Sequence, residues 1–246
     1  MNDEMYSKEL EINFFNTYYE SGYDVFQEKT YRKVIGYILK LLPNVNNKVL
    51  LEIGCGSGAF TKYLSNLNFN KIYAIDISSK LIEYAKKKGY KNVEFFVCDA
   101  EEIYFIKDSS IDIVVCFAVL HHFPNREKVL KEIKRVLKPE GVLFAFEPNR
   151  LNPIMWLYRD PSSPFYSSIG VTPNERPILK KEIEQELKLV GFNKIKIFAI
   201  SGIEYKFVKN KKFWWLLKFY NLWERIFDKI FLSKIFGSFL IIFAKK

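Results

Sequence analysis

Short apolar runs alternate with amphipathic stretches along most of the chain. Five runs of strand length come first, at Lys48–Ile53, Lys71–Ile75, Val93–Cys98, Ile111–Cys116 and Val142–Phe146. Apolar residues at helical spacing separate them, as in Arg126–Leu137, which Pro139 and Gly141 close. Because strands that alternate with helices form a parallel sheet covered on its faces, the pattern predicts an α/β fold.

The regular alternation stops after the fifth strand. Segment 148–177 holds six prolines, which is typical of a lid-like insertion. A helix at Ile178–Leu189 and a strand at Lys194–Ile200 follow. Segment 203–235, expected to be helical over Lys206–Lys234, then precedes a last strand at Phe239–Phe243. With one or two helices expected in Ile12–Leu42, we interpret residues 1–246 as a single domain with two insertions.

Positive charge is concentrated near the carboxyl terminus. The net charge is +10, and the residues from Ile203 onward contain ten Lys or Arg against three acids, which is +7 of that total. A charge of this kind indicates an anionic partner, which could be nucleic acid, an anionic membrane or a phosphorylated small molecule.

The few cysteines and histidines limit the disulfides and metal sites that the chain could form and indicate its redox compartment. Cys55, Cys98 and Cys116 are scattered, and the only histidines are His121 and His122. We therefore expect no disulfide framework, no metal site and a reduced cytoplasmic setting. The first ten residues lack the order of a signal peptide, and no stretch has the roughly 18 uncharged apolar residues of a membrane span.

A glycine-rich loop follows the first strand. Gly54, Gly56 and Gly58 would form a tight turn that brings backbone N–H groups against a ligand. Gly54-x-Gly56-x-x-Ala59 also satisfies the relaxed dinucleotide fingerprint, and Asp76 ends the second strand where a ribose-binding acid is expected in either case. The loop alone therefore leaves a nicotinamide dinucleotide, S-adenosylmethionine and an empty turn as alternatives.

Three polar features favour S-adenosylmethionine. The carboxylate of Glu52 would repel a pyrophosphate but attract the cationic amino acid end of this cofactor. Asp99 follows the third strand and can accept a hydrogen bond from an adenine amino group. His121 and His122 follow the fourth strand. All of these positions are at the carboxyl ends of parallel strands, where open α/β sheets bind ligands.

In combination these motifs resemble those of class I S-adenosylmethionine-dependent methyltransferases of the small-molecule type, including quinone-biosynthesis enzymes. The resemblance runs from about Val49 to Lys246 and implies a Rossmann-like, mostly parallel sheet of seven strands, the last antiparallel, with helices on both faces. It also implies contacts with the methionine portion, ribose and adenine of the cofactor, from Glu52, Gly54, Cys55, Gly56, Gly58, Asp76, Ile77, Asp99, Ala100 and Phe117. Tyr18, Tyr19 and Tyr31 are further candidates for closing over the cofactor.

The two histidines are the candidate catalytic residues. His121 or His122 could remove a proton from the acceptor or orient it, since their side chains titrate near neutrality. Alternatively, His122 packs against its loop. Related quinone-pathway enzymes carry an acid and a histidine here, so the His-His pair argues against a metal role. Glu147 could reach the substrate or serve as a solvated anchor of the lid.

The acceptor is expected to be a small molecule. After the fourth strand the chain lacks the Asn/Asp-Pro-Pro-aromatic motif of amino-group DNA methylation, it has no Pro-Cys nucleophile, and no RNA-binding module is recognisable. Both insertions should emerge at the cofactor end of the sheet. We therefore expect a hydrophobic or amphiphilic acceptor, with a sugar or an amine as the alternative.

The segment 206–234 is both basic and aromatic. It contains Trp214, Trp215 and Trp223 beside several lysines, which is typical of a helix that lies on an anionic membrane. In the alternative interpretation, Trp214, Leu217, Asn221 and Ile226 only cover the sheet.

Two other classes of protein remain as alternatives to a methyltransferase. Glu52 argues against a nicotinamide-dependent reductase, and the intact cofactor motifs argue against a non-catalytic binding module.

Overall fold

A computed structural model describes residues 8–17, 24–42, 44–207 and 215–246. Its single sheet has seven strands: β1 (Val49–Ile53), β2 (Lys71–Asp76), β3 (Val93–Val97), β4 (Ile111–Phe117), β5 (Leu137–Pro148), β6 (Asn193–Ile200) and β7 (Phe239–Lys245). Each overlaps one of the apolar runs identified in the sequence, and the boundaries differ by a few residues, most at β5. There the strand begins before Pro139 and ends at Pro148.

The strand order is β3-β2-β1-β4-β5-β7-β6. The strands β1 to β5 pair in parallel, whereas β7 is antiparallel to both β5 and β6. The predicted Rossmann-like sheet with an antiparallel last strand is therefore confirmed. Because the order reverses at β1 and β4, a crevice opens beyond the carboxyl ends of these two strands.

Helices lie against the sheet on both faces. They are α1 (Lys8–Thr17), α2 (Glu28–Leu41), α3 (Thr61–Leu64), α4 (Ser79–Lys86), α5 (Glu127–Val136), α6 (Pro153–Arg159), α7 (Lys180–Val190), α8 (Leu216–Phe227) and α9 (Ser233–Phe236). The side chains buried along α5 are Val129, Leu130, Ile133 and Val136, at the spacing of one helix face. Two large apolar clusters, one on each face of the sheet, form the core.

Two expected helices are shorter than the sequence pattern predicts. The helix expected at Ala59–Leu67 is a single turn, α3. The Ser65 hydroxyl and the Asn66 amide both donate to the Lys62 carbonyl, and such side-chain bonds compete with helix continuation. The stretch Lys206–Lys234 contains α8 and the beginning of α9, with turns between them, while residues 208–214 lie outside the described residues.

The two inserted segments meet at the carboxyl end of the sheet. The Asn149 side-chain amide donates to the Ile235 and Gly237 carbonyls, and that of Asn152 donates to Phe236 while its oxygen caps α6. The segment after β5 is thus fastened to the end of α9. Within the described parts of the chain, no helix is both long and apolar enough to cross a bilayer.

Candidate active site

A cavity of about 490 Å³ occupies the crevice beyond β1 and β4. Nearly all of the residues predicted to form the site line it, and they are Glu52, Gly54, Cys55, Gly56, Asp76, Ile77, Asp99, Ala100, Phe117, His121 and His122. Gly58 is not part of this wall. It packs against Tyr90, whose hydroxyl donates to the Gly58 carbonyl over 3.2 Å.

The glycine loop adopts backbone conformations that a side chain would oppose. Gly54 has a φ of +66°, and a Cβ added to it would lie 2.3 Å from a methyl group of Val119. Glycine therefore lets the loop after β1 approach the loop after β4. Gly56 has a φ of +53°, and a Cβ there would meet nothing within 4 Å. Its cavity-facing side is thus bare backbone, which leaves room for a ligand.

Two carboxyl groups lie beneath this loop, and neither forms an ion pair with any residue that the structure describes. The buried Glu52 accepts a 2.6 Å hydrogen bond from Thr61, and burial together with the charge of Asp76 raises the pKa of Glu52 to about 8. Asp76 accepts hydrogen bonds from the N–H groups of Gly56 and Ser78, yet burial still raises the pKa of its carboxyl. Acids in this state would be stabilised by a bound cation.

Asp99 borders the cavity where the adenine edge is expected. Its carboxylate contacts Lys8 Nζ at 2.5 Å and accepts the Glu101 N–H at 2.9 Å. Lys8 also pairs with Glu101 at 2.6 Å, so α1 closes this end of the cavity. The same helix also contacts the end of the cavity near Asp76, since Ser78 Oγ lies 2.7 Å from Asn16 Oδ1. The sequence analysis did not identify Lys8, which lies far from the glycine loop in the chain.

Aromatic side chains form part of the cavity floor. Phe117 is buried and stacks on Phe60 with the ring centroids 4.0 Å apart. Tyr31 also lines the cavity, and its hydroxyl donates to Asp24. Tyr18 and Tyr19, the other two aromatic candidates, lie outside the described residues.

His121 is held by Glu147. The Glu147 carboxylate accepts the backbone N–H groups of Val119, Leu120 and His121, and it lies 2.8 Å from His121 Nδ1. Glu147 is fully buried. The alternative in which Glu147 is a solvated lid anchor is therefore wrong, because this buried carboxylate holds the loop after β4 and fixes the imidazole ring of His121.

Glu175 lies on the opposite side of His121. His121 Nε2 is 3.7 Å from a Glu175 oxygen, and Arg159 at the end of α6 pairs with the same carboxylate. Burial acts against the charge on His121, but Glu147 and Glu175 outweigh it and raise the pKa of His121 to about 9. Burial also opposes the charge on Glu175, yet Arg159 and His121 hold the pKa of this group well below its usual range.

His122 has a different set of neighbours. Its Nδ1 lies 3.2 Å from the Thr172 hydroxyl and 3.3 Å from Glu11 of α1. Its ring meets the Phe15 ring edge-on. One possible ligand atom from each of His121, His122 and Glu175 lies within 4.8 Å of the others, so these three could hold a metal. Sequence analysis missed Glu11 and Glu175, whose only signal was their acidity.

The described part of the basic segment has one buried and one exposed face. Leu217 and Asn221 are buried, as the sheet-covering interpretation expects, but Ile226 is half exposed and Trp215 is 66% exposed. Trp214 lies outside the described residues.

The fold and site define an α/β protein that binds its ligand at the carboxyl ends of parallel strands. Residues 51–145 match the model of a family described as "Methyltransferase domain". An uncharacterised protein of Methanocaldococcus jannaschii is 31% identical over 235 residues, covering 88% of this chain and 87% of that one. A rat thiol S-methyltransferase is 33% identical over 139 residues, covering 52% of this chain. The chain spans only 56% of that enzyme's length.

A solved structure has the same fold. It is an S-adenosylmethionine-dependent methyltransferase from Thermotoga maritima with a TM-score of 0.62 and 18% sequence identity, and the match covers 95% of this chain and 99% of the other. The chain belongs to the S-adenosylmethionine-dependent methyltransferases, and its cofactor is S-adenosylmethionine. The acids beneath the glycine loop fit this cofactor, which brings an ammonium and a sulfonium charge.

Proposed function

We propose that this methyltransferase acts on a small hydrophobic or amphiphilic acceptor. One observation carries the proposal: the cavity that contains the glycine loop continues between the two insertions, where its wall is largely apolar. That part of the wall includes Ile154 and Leu157 of α6, Ile169, and Leu216 and Leu217 of α8. An acceptor with an apolar body would gain free energy by burying it here, whereas a sugar would lose hydrogen bonds to water.

In this proposal the cofactor contacts come from the loop and the strand ends. Glu52 would face the amino group of the methionine portion, and Gly56 would give it room. Asp76 would contact the ribose, while Ile77 and Asp99 would contact adenine. When bound, the cofactor supplies an activated methyl group, so the task of the protein is to align the acceptor and exclude water.

The histidines would face the acceptor's nucleophilic atom. Glu147 fixes the ring of His121 so that Nε2 is directed away from it, toward Glu175. With a pKa of about 9, the His121 ring in this state is protonated on both nitrogens and positively charged at neutral pH. This favours a role in orienting an oxygen or sulfur atom over a role as a neutral base, until a ligand alters the pairing.

A panel of acceptors tests the class of substrate. Methyl transfer would be measured for alkanethiols and alkylphenols of increasing chain length, beside polar amines and sugars. Because each buried methylene contributes about 0.8 kcal/mol, kcat/KM should rise about fourfold per methylene until the cavity is full. Faster turnover of polar acceptors, with no dependence on chain length, would contradict the proposal.

A matched pair of variants tests the cavity wall itself. Leu157 and Leu151 are similarly exposed, at 40% and 43%, but only Leu157 lines the cavity. Leu157→Asp should lower kcat/KM for long-chain acceptors by about tenfold or more, because it places a charge beside the apolar body. Leu151→Asp should leave kcat/KM unchanged.

We also propose that the two insertions rest on an anionic membrane. Exposed apolar side chains are concentrated on α8 and the following residues, where Phe219 is 65% and Phe231 is 72% exposed. Lys218, Lys229 and Lys234 are exposed in the same segment. Large exposed apolar patches mark interaction surfaces, and aromatic residues beside lysines suit the headgroup region of an anionic bilayer. A hydrophobic or amphiphilic acceptor could then pass directly from the bilayer into the cavity.

A further inference from the structure

A cluster of histidine and carboxylate side chains lies on the cavity wall. His121 and His122 come from the turn after β4, and Glu175 comes from the segment between α6 and α7. One possible ligand atom from each of them lies within 4.8 Å of the others. We propose that His121, His122 and Glu175 bind a divalent transition metal of the zinc class.

The distances suit such an ion after small side-chain rotations. Zinc binds histidine nitrogen and carboxylate oxygen at about 2.0–2.2 Å, so neighbouring ligand atoms in a tetrahedral site lie about 3.3–3.6 Å apart. His121 Nε2 and the nearer Glu175 oxygen are already 3.7 Å apart. Two histidines and one glutamate, with a fourth position open to a cavity, are a ligand set found in catalytic zinc sites.

Both imidazole rings have a carboxylate on the far nitrogen. Glu147 lies 2.8 Å from His121 Nδ1, and Glu11 lies 3.3 Å from His122 Nδ1. Metal-binding histidines almost always donate their other ring N–H to a carboxylate, a carbonyl or water, and this contact fixes both tautomer and ring orientation. His122 Nδ1 also lies 3.2 Å from the Thr172 hydroxyl. Polar partners for the far ring nitrogen are therefore present for both histidines, which leaves the two Nε2 atoms as the remaining ligands.

Glu11 provides an independent observation. It is 6% exposed, and its Oε1 accepts a hydrogen bond from Asn174, but among the described residues its Oε2 has no partner of acceptable geometry. A buried carboxylate oxygen normally accepts at least one hydrogen bond. Coordination of His122 through Nε2 would require the proton on Nδ1, which lies 3.3 Å from this oxygen, and a small rotation of the ring would let Glu11 accept it.

The charges around the site also favour a dication. Within the part of the chain that the structure describes, Glu11, Glu147 and Glu175 are buried near the two histidines, and Arg159 is the guanidinium paired with Glu175. With neutral imidazoles, as metal ligands must be, two negative charges remain. A divalent ion would balance them. Arg159 competes with such an ion for the Glu175 carboxylate.

One part of this inference rests on the proposed function: the open coordination position of the metal would receive the acceptor's oxygen or sulfur atom. Metal binding itself needs no acceptor, so it can be measured separately. Untagged, full-length protein would be treated with chelator and titrated with Co²⁺, whose visible absorption reports coordination by nitrogen and oxygen. Zn²⁺ content after dialysis would be measured by elemental analysis.

Four variants and a matched control make the test specific. Glu175→Gln and His122→Ala should each weaken Co²⁺ and Zn²⁺ binding about tenfold or more, and Glu11→Gln should weaken it by about tenfold. Arg159→Met should tighten binding because it removes the competing cation. Glu186→Gln is the matched control, since Glu186 pairs with Arg126 of the adjoining α5 region but is not a member of the cluster.

The outcomes separate this inference from the methyltransferase assignment. One bound ion per chain, weakened in the cluster variants and unchanged in Glu186→Gln, supports the site. Binding of S-adenosylmethionine to every variant, measured by calorimetry, shows that each is folded. No stoichiometric Co²⁺ or Zn²⁺ binding in protein that binds the cofactor would overturn the metal site alone, as would equal affinities in wild type and Glu175→Gln.

Discussion

Gly56 combines a backbone conformation that favours glycine with a position on the cavity wall. Its φ of +53° belongs to the left-handed region, and the space in which a Cβ would lie is open. Gly89 has a similar φ of +62° and similarly open surroundings, but it does not line the cavity. The two glycines therefore have the same conformational requirement and differ in what lies beside them.

We expect Gly56→Ala and Gly89→Ala to destabilise the protein equally, by about 1 kcal/mol each, because alanine is strained at positive φ. Only Gly56→Ala should weaken S-adenosylmethionine binding, by about tenfold or more, since its methyl group would occupy ligand space. Calorimetric titration gives the affinities, and urea unfolding gives the stabilities. Equal affinities for S-adenosylmethionine in both variants would show that Gly56 does not contact the cofactor.

At the scale of elements, α8 is attached to the sheet through an unusual buried acid. Glu224 is fully buried, and its Oε2 accepts the Ile203 N–H at 3.1 Å and the Ser238 hydroxyl at 2.9 Å. Among the described residues its Oε1 has no hydrogen-bond partner. The cost of burying a charged carboxylate outweighs these hydrogen bonds and raises the pKa of Glu224 to about 7. The folded protein thus holds this carboxyl protonated in mildly acidic solution.

A raised pKa links the attachment of α8 to pH. In the unfolded chain Glu224 ionises near pH 4.5, so its contribution to stability is complete below that pH and is lost as pH rises through about 7. Relative to Glu224→Gln, wild-type protein should therefore lose roughly 1–3 kcal/mol of unfolding free energy between pH 5 and pH 8. Denaturant unfolding across this range measures the difference.

Glu184→Gln is the control, because Glu184 is a half-exposed acid that pairs with Lys188 on the surface of α7. Its stability difference from wild type should stay nearly constant over the same pH range. Parallel pH profiles for wild type and Glu224→Gln would show that burial of this carboxyl does not couple to folding.

At the scale of the whole molecule, exposed lysines and exposed aromatic side chains lie together in the carboxyl-terminal segment. Lys218, Lys229 and Lys234 are exposed there, and α8 exposes aromatic side chains on the face opposite to Leu217 and Asn221. The Asn149 and Asn152 side chains tie the other insertion to it. The two insertions therefore present one composite surface beside the cavity.

Liposome co-sedimentation tests the membrane proposal. Each lysine near an anionic surface contributes about 1 kcal/mol, so association should require anionic lipid and weaken with salt. The triple variant Lys218→Glu, Lys229→Glu, Lys234→Glu should lose it while retaining cofactor affinity. A control variant with the same charge change on the α4 side, Lys86→Glu, Lys87→Glu, Lys91→Glu, should still bind. Equal loss in both triples would attribute binding to net charge rather than to this surface.

Local patterns determined the architecture of this protein. Apolar runs of strand length, the glycine loop and the acids at strand ends are contiguous signals, because strand burial and tight turns depend on residues close in the chain. They predicted the positions of the strands and the edge at which ligands bind, whereas the antiparallel direction of the last strand was implied by the resemblance to methyltransferases. Most of the candidate site residues that these signals identified line the cavity.

The tertiary structure decided the environment of His121 and His122. Glu11 and Glu175 come from α1 and the segment after α6, and no local pattern distinguishes them from surface acids. Glu147 was a candidate at the end of β5, but its sequence position did not show that it is buried against His121. Their burial beside the imidazole rings depends on how distant segments pack, so neither the raised pKa of His121 nor the ligand cluster follows from sequence spacing. Charge interactions of this kind require distances, which the folded chain alone provides.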